Sequence, residues 1–160
     1  MKFKKIIIII LVLILFISLI FWIVGDSQDF KSQTVQQSDI INISHVKIGE
    51  ETLTVDLALT PEAQEQGLSG RTSLTEDNGM LFVFAVPAKY AFWMPNMNFP
   101  IDIIWLDQNK KIVYIKEDAE PSSYPENFKP KTDAKYVLEV ISGFSEKNKL
   151  EVGDIVQFLP

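Results

Sequence analysis

Nineteen consecutive uncharged residues, Ile6 to Val24, follow three lysines, Lys2, Lys4 and Lys5. As a helix this run spans roughly 28 Å, close to the hydrocarbon thickness of a bilayer. A cleaved signal peptide also opens with lysines and an apolar stretch, but its apolar region runs about 7–15 residues and ends at a small-x-small site. Here the first small residue past the run is Gly25, with Ile23 two positions before it. There is no cysteine, so lipoprotein processing is excluded. Phe21 and Trp22 suit an interfacial position at the far end. Residues 1–25 are therefore expected to be an uncleaved signal-anchor. Positive charge flanking a first span stays inside, so the N-terminus is expected in the cytoplasm. The rest of the chain is expected outside, in the periplasm or on the cell surface.

Beyond the anchor stand twelve basic and twenty-one acidic side chains, a net charge of −9. Nucleic acid needs Lys and Arg to neutralise phosphate, so it is not expected as a partner. An anionic membrane surface is disfavoured for the same reason. Without cysteine no disulfide framework exists, and stability must come from a core. The single histidine, His45, leaves no His/Cys zinc site to build. A Ser-His-Asp triad would have to use it, and no Gly-x-Ser-x-Gly accompanies it. No cofactor is expected.

Residues 26–39 are polar and rich in Ser and Gln, the composition of a flexible tether. The folded domain is placed at 40–160. Val46–Ile48 and Thr52–Leu59 flank Gly49-Glu50-Glu51, a hairpin signal. Leu53, Val55 and Leu57 alternate with Thr52, Thr54 and Asp56, as a half-buried strand requires. Thr60-Pro61-Glu62 reads as a helix start and Gly67 as its stop. Met80–Val86, Ala91–Met94, Ile101–Leu106, Lys111–Lys116, Tyr136–Ile141 and Ile155–Leu159 are further strands. Pro121–Pro130 is an irregular loop. Strand-helix-strand alternation, the signal of a parallel sheet, is absent from this pattern, so mostly antiparallel pairing is expected. The fold class is mainly β: a compact antiparallel barrel or sandwich with one short helix.

The densest block is Gly79 to Asp102, and three functional ideas arise from it and its surroundings. Met80, Met94 and Met97, with His45, offer soft ligands for Cu(I), although methionine is also ordinary core filler. Asp102, beside Ile104 and Leu106 on its strand face, and Glu139, beside Val137 and Ile141, are carboxylates among apolar neighbours, costly unless paired. Arg71 is the cation placed to meet them. The three form either a structural polar cluster or, with Trp93, Trp105, Tyr124 and Tyr136, the acid/base pair and sugar site of a polysaccharide enzyme. Finally, Pro95-Asn96-Met97-Asn98-Phe99-Pro100 is a preorganised apolar loop. Trp93, Met94, Asn96, Met97 and Phe99 make it a candidate recognition surface.

These same residues resemble domain-of-unknown-function family 192, small bacterial and archaeal proteins that are often exported. The resemblance runs from about Val46 to Phe158. Its carriers are Thr60, Gly67-Leu68, Arg71 and Leu74, then Gly79-Met80-Leu81-Phe82-Val83-Phe84, Phe92-Trp93-Met94 and Pro100-Ile101-Asp102-Ile103. Tyr136-Val137-Leu138-Glu139-Val140, Gly143 and Gly153-Asp154 follow. Two departures stand out: Ala63 and Gln64 where the family tends to carry an acid–arginine pair, and Ser69 where it tends to carry Met. The resemblance implies a compact β-rich domain with one short helix, commonly behind an export signal or anchor, and names no activity.

The leading expectation is a single-pass, membrane-anchored, non-catalytic binding module facing an extracytoplasmic ligand or protein partner. The alternatives are a polysaccharide-acting enzyme using Asp102 and Glu139, and a Met-based copper handler. Alkaline-carbonate extraction is expected to leave the protein with the membrane, and external protease to digest everything beyond Gly25. Release of a soluble chain starting near Asp26 would contradict the uncleaved anchor.

Overall fold

A computed structural model describes residues 42–160; the anchor at 1–25 and the tether at 26–39 lie outside the described residues. Among the described residues no helix is long and apolar enough to cross a membrane. The strands are β1 (His45–Ile48), β2 (Glu51–Ala58), β3 (Asn78–Ala88), β4 (Ile101–Leu106), β5 (Ile112–Ala119), β6 (Ala134–Ile141) and β7 (Gln157–Leu159). Helix α1 (Pro61–Gln66) lies between β2 and β3, and α2 (Phe144–Lys147) between β6 and β7.

Local chemistry explains several boundaries. Gly49 takes φ 58° in the two-residue turn between β1 and β2, a conformation that fits a tight hairpin. Thr60 caps α1 by accepting from the Ala63 N–H at 3.2 Å, Pro61 sits at the first helical position, and Gly67 ends the helix at φ 51°.

The seven strands form one sheet in the order β5-β4-β6-β3-β2-β1-β7. Its two edges meet the same terminal segment. Gly153, Asp154 and Val156 exchange backbone hydrogen bonds with Lys110 and Ile112 at the start of β5, and the chain then pairs with β1 as β7. The sheet therefore curls into a half-barrel. Three expectations need correction. β2 and β3 are parallel, with α1 in the crossover between them, whereas every other pairing is antiparallel. The sequence hides this because α1 is only six residues long. A second helix, α2, also forms where none was expected. The Ala91–Met94 segment contributes a single bridge, Phe92 to Phe128, in place of a strand.

Cross-strand partners share a face, which divides the core in two. Leu81, Leu138 and Ile104 are opposed across β3, β6 and β4, with Val55 and Val140 one pleat along the same face. Tyr136 of β6 meets Phe158 of β7 edge-on at 4.9 Å on that side. On the other face, Phe82, Ile103, Trp105 and Val137 pack against Leu68, Met94, Phe99 and Phe128 from the connecting segments.

Asp102 belongs to the first face, opposite Val140. It is fully buried. Its Oδ1 accepts the Asp118 N–H at 2.9 Å and the Gly143 N–H at 3.3 Å, and its Oδ2 accepts the Ser145 N–H at 2.8 Å. One carboxylate thus ties the end of β5 and the start of α2 to β4, and its charge is met by backbone donors rather than by a cation. Asp102→Asn turns an amide NH2 toward N–H donors. It is expected to cost about 3 kcal/mol, a fall of about 10 °C in Tm by calorimetry. An unchanged melt would contradict this structural role.

Candidate functional site

Met80 lies opposite Glu139 and Phe82 opposite Val137 in the β3–β6 ladder. Phe82 and Phe84 therefore share the Glu139 face. Over this face the crossover lays α1 and its exit, while the 89–100 connection runs beside it. Between them is a cleft of about 290 Å³. The sheet supplies Phe82, Phe84 and Glu139; the α1 exit supplies Gly67; the 89–100 connection supplies Tyr90, Phe92 and Trp93.

Hydrogen bonds fix both walls. Gln64 Nε2 donates to the carbonyls of Ala58 at 3.2 Å and Val83 at 2.9 Å, pinning α1 to β2 and β3. An uncharged side-chain amide thus holds the helix. On the other wall Tyr90 stacks on Phe84, Phe92 meets Phe82 edge-on at 4.9 Å, and the Trp105 indole N–H donates to the Tyr90 carbonyl at 2.9 Å. The walls are joined at one end, where Ser69 Oγ donates to the Pro95 carbonyl at 2.8 Å and the Gly70 N–H to the Asn96 carbonyl at 2.9 Å. Gly67 is required twice over. It takes φ 51°, and a Cβ there would stand 3.3 Å from Phe82 Cζ and 3.7 Å from Glu139 Oε2.

Glu139 is the unusual group. It is 6% exposed, and its Oε2 is buried with no hydrogen-bond partner. Burial pushes its pKa up to about 8, against the opposing field of the Arg71 guanidinium. The carboxyl is neutral at pH 7 and can donate a hydrogen bond as well as accept one.

The other anticipated site residues go to different places. Arg71 Nη2 donates to Asp56 Oδ2 at 2.7 Å in a largely exposed pair. Asp56, Met80 and Glu139 occupy one row across β2, β3 and β6, which carries the Arg71 field toward Glu139. Asp102 pairs with Val140 while Glu139 pairs with Ile103, so the two acids lie on opposite faces and the expected convergence of Arg71, Asp102 and Glu139 does not occur. Trp93, 45% exposed, and Met97 line the cleft. Met94 and Phe99 are core residues, and exposed Asn96 serves the wall through its carbonyl. Met80 and Met94 are packed in the apolar cluster and Met97 against it. His45 Nδ1 lies 2.6 Å from Ser44 Oγ, at the start of β1. Trp105 and Tyr136 are buried, and Tyr124 is exposed away from the cleft. Sequence reasoning missed Gly67, Phe82, Phe84 and Tyr90 as site residues. The available signal was the period-two spacing of Phe82 and Phe84, which places both on one face.

Glu139 also makes stability depend on pH. The folded domain keeps a proton on this carboxyl up to about pH 8, whereas the unfolded chain loses it near 4.5. The folded state binds more protons in that window, so this contribution to stability falls as pH rises through it and levels off above. Glu139→Gln removes the term. It is expected to match the parent near pH 4.5 and to exceed it by on the order of 4 kcal/mol at pH 9 in urea denaturation. Parallel stability profiles for the two proteins would contradict the raised pKa.

The DUF192 family model, described as Uncharacterized ACR, matches residues 44–158. No curated protein matches the chain. Two crystal structures are similar to it. A protein from Sinorhizobium meliloti 1021, described as a "putative transcription regulator", is 30% identical with a TM-score of 0.66, over 71% of this chain and 90% of its own. A protein of unknown function from Novosphingobium aromaticivorans DSM 12444 is 28% identical with a TM-score of 0.68, over 72% of this chain and 84% of its own. The shared domain makes up most of each of those chains. Through residues 44–158 the chain belongs to the DUF192 family.

Proposed function

We propose that this chain is a non-catalytic binding module, tethered to the outer side of the cell membrane by residues 6–24, whose domain takes a small ligand with an apolar body into the aromatic cleft. The observation that carries the reading is Glu139 Oε2, a buried oxygen without a partner at a cleft lined by aromatic rings. Apolar walls with one convergent polar group are the usual makeup of a small-molecule site. The hydrolytic alternative needs two carboxyl groups facing one another across a substrate. Asp102 is on the other face, with both oxygens engaged by backbone N–H groups. The copper alternative needs accessible thioethers, and Met80 and Met94 are buried. The role named for the Sinorhizobium protein would require nucleic-acid contact, direct or through a partner, and the net charge of −9 beyond the anchor opposes the direct kind.

The test is a titration of the 15N-labelled domain, residues 43–160, with fragment-sized aromatic compounds followed by NMR. Shift changes are expected to concentrate at Gly67, Phe84, Glu139 and the Trp93 indole. Changes confined to other surfaces, or none at all, would overturn the proposal.

A further inference from the structure

On the reading that the cleft is a ligand site, we infer that its ligand is a small organic cation, whose guanidinium or ammonium head donates to Glu139 Oε2 while its apolar body lies along Phe92 and Trp93. Charge complementarity carries this. The ionisable side chains lining the cleft are Glu65, Glu139 and Tyr90, and no lysine or arginine lines it. An anionic ligand would meet the exposed Glu65 carboxyl at the rim with no lysine or arginine in the lining to offset it. The Tyr90 hydroxyl is engaged, donating to the Val86 carbonyl at 2.6 Å. Aromatic rings present negative faces, and rings beside a carboxylate form the usual surroundings of a bound organic cation. The domain's net negative charge draws cations toward it.

The charged neighbours are already accounted for. Arg71, on the connection after α1, is held by Asp56 of β2 at 2.7 Å. Lys116 of β5, opposite Ile103, turns its ammonium to the carbonyls of Glu117 and Asp118. Glu65 of α1 is exposed at the rim. None of them donates to Glu139 Oε2, so the ligand's head supplies the donor this oxygen lacks.

A proton balance follows. At pH 7 the empty site holds Glu139 as a neutral acid. An arriving cation favours the ionised form, so the O–H proton leaves to solvent and the N–H of the head takes its place at Oε2. No other bond changes. Close to one proton is released per ligand bound. Affinity for a permanently charged ligand therefore rises about tenfold from pH 7 to pH 9 and then levels off.

Phenethylguanidinium, charged throughout this range, is a suitable probe, with 2-phenylethanol as its neutral counterpart. Calorimetric titration of the 43–160 domain in two buffers of different ionisation enthalpy reads both affinity and proton release. The cation is expected to bind with release of nearly one proton and at least tenfold more tightly than the alcohol. Glu139→Gln is expected to lose at least tenfold in affinity and all of the proton release. Trp93→Ala, at a half-exposed position, is expected to weaken binding several-fold with an unchanged melt. Cation binding without proton release, or undiminished in Glu139→Gln, would overturn the inference. So would equal binding of the alcohol, but shifts at Gly67 and Trp93 would then leave the cleft standing as a site. Absence of binding by either probe also overturns the cation assignment, while the fragment titration decides the cleft separately.

Discussion

A parallel pair of strands cannot be joined by a tight turn; the chain must leave the sheet, cross one face and return. β2 and β3 are such a pair, the only one in an otherwise antiparallel sheet. The crossover brings α1 and its exit over the face where Phe82 and Glu139 stand. Antiparallel pairing would permit a hairpin there, and nothing would then cover this part of the sheet. Gln64 fixes the crossover by spanning Ala58 of β2 and Val83 of β3 with one side-chain amide. Gly67 ends the helix close enough to Phe82 that a Cβ would crowd the ring. The cleft is thus a by-product of topology, sharpened by two residues at the helix.

The two buried acids illustrate how a one-residue difference in register decides chemistry. In the β4–β6 ladder Asp102 faces Val140, and Ile103 faces Glu139. Because alternate residues point to opposite faces, the carboxyl groups are separated by the sheet itself. Asp102 finds three backbone N–H donors, from the end of β5 and the start of α2, and becomes a structural tie. Glu139 finds an aromatic environment, and its Oε2 has no partner. The first arrangement gives the carboxylate oxygens backbone donors, whereas in the second desolvation favours the neutral form of Glu139.

Much of the domain was legible in the sequence because its strands are apolar runs bounded by turn residues, with clean alternation in β2. Ile101–Leu106 is found with both ends as expected, and the β1–β2 hairpin follows from Gly49. The helix start at Thr60-Pro61 was equally plain. What escaped were features set by distant partners. Parallel pairing depends on which strand β3 meets after the crossover, and no local signal encodes that. Helix α2 is four residues long and is held by Asp102, forty-three residues before Ser145 in the chain. Of the residues singled out around the 95–100 loop, Trp93 and Met97 line the cleft, while Met94 and Phe99 turn into the core and the intervening Pro95 and Asn96 are pinned by Ser69 and Gly70, contacts that no local pattern encodes. Glu139 was recognisable as a carboxyl among apolar neighbours, but its distance from Asp102 could be read only from strand register.

A buried carboxyl without a partner is a poor device for stability. Replacing buried ionisable groups by apolar residues of similar size is often neutral or stabilising. The row that holds Glu139 contains Met80 and Ile103, so an apolar side chain would fit its surroundings. Structural roles for acids are filled elsewhere in the same sheet by Asp102, which meets three donors. The domain satisfies one buried acid fully and leaves the other without a partner beside an aromatic cleft, a contrast that supports the proposed division between fold and recognition. The desolvation that raises the Glu139 pKa is the same property that strengthens its attraction for a donor brought into the site, since a weakly screened charge interacts more strongly. On the proposed reading, stability given up at this position is available as affinity when a ligand brings the missing donor.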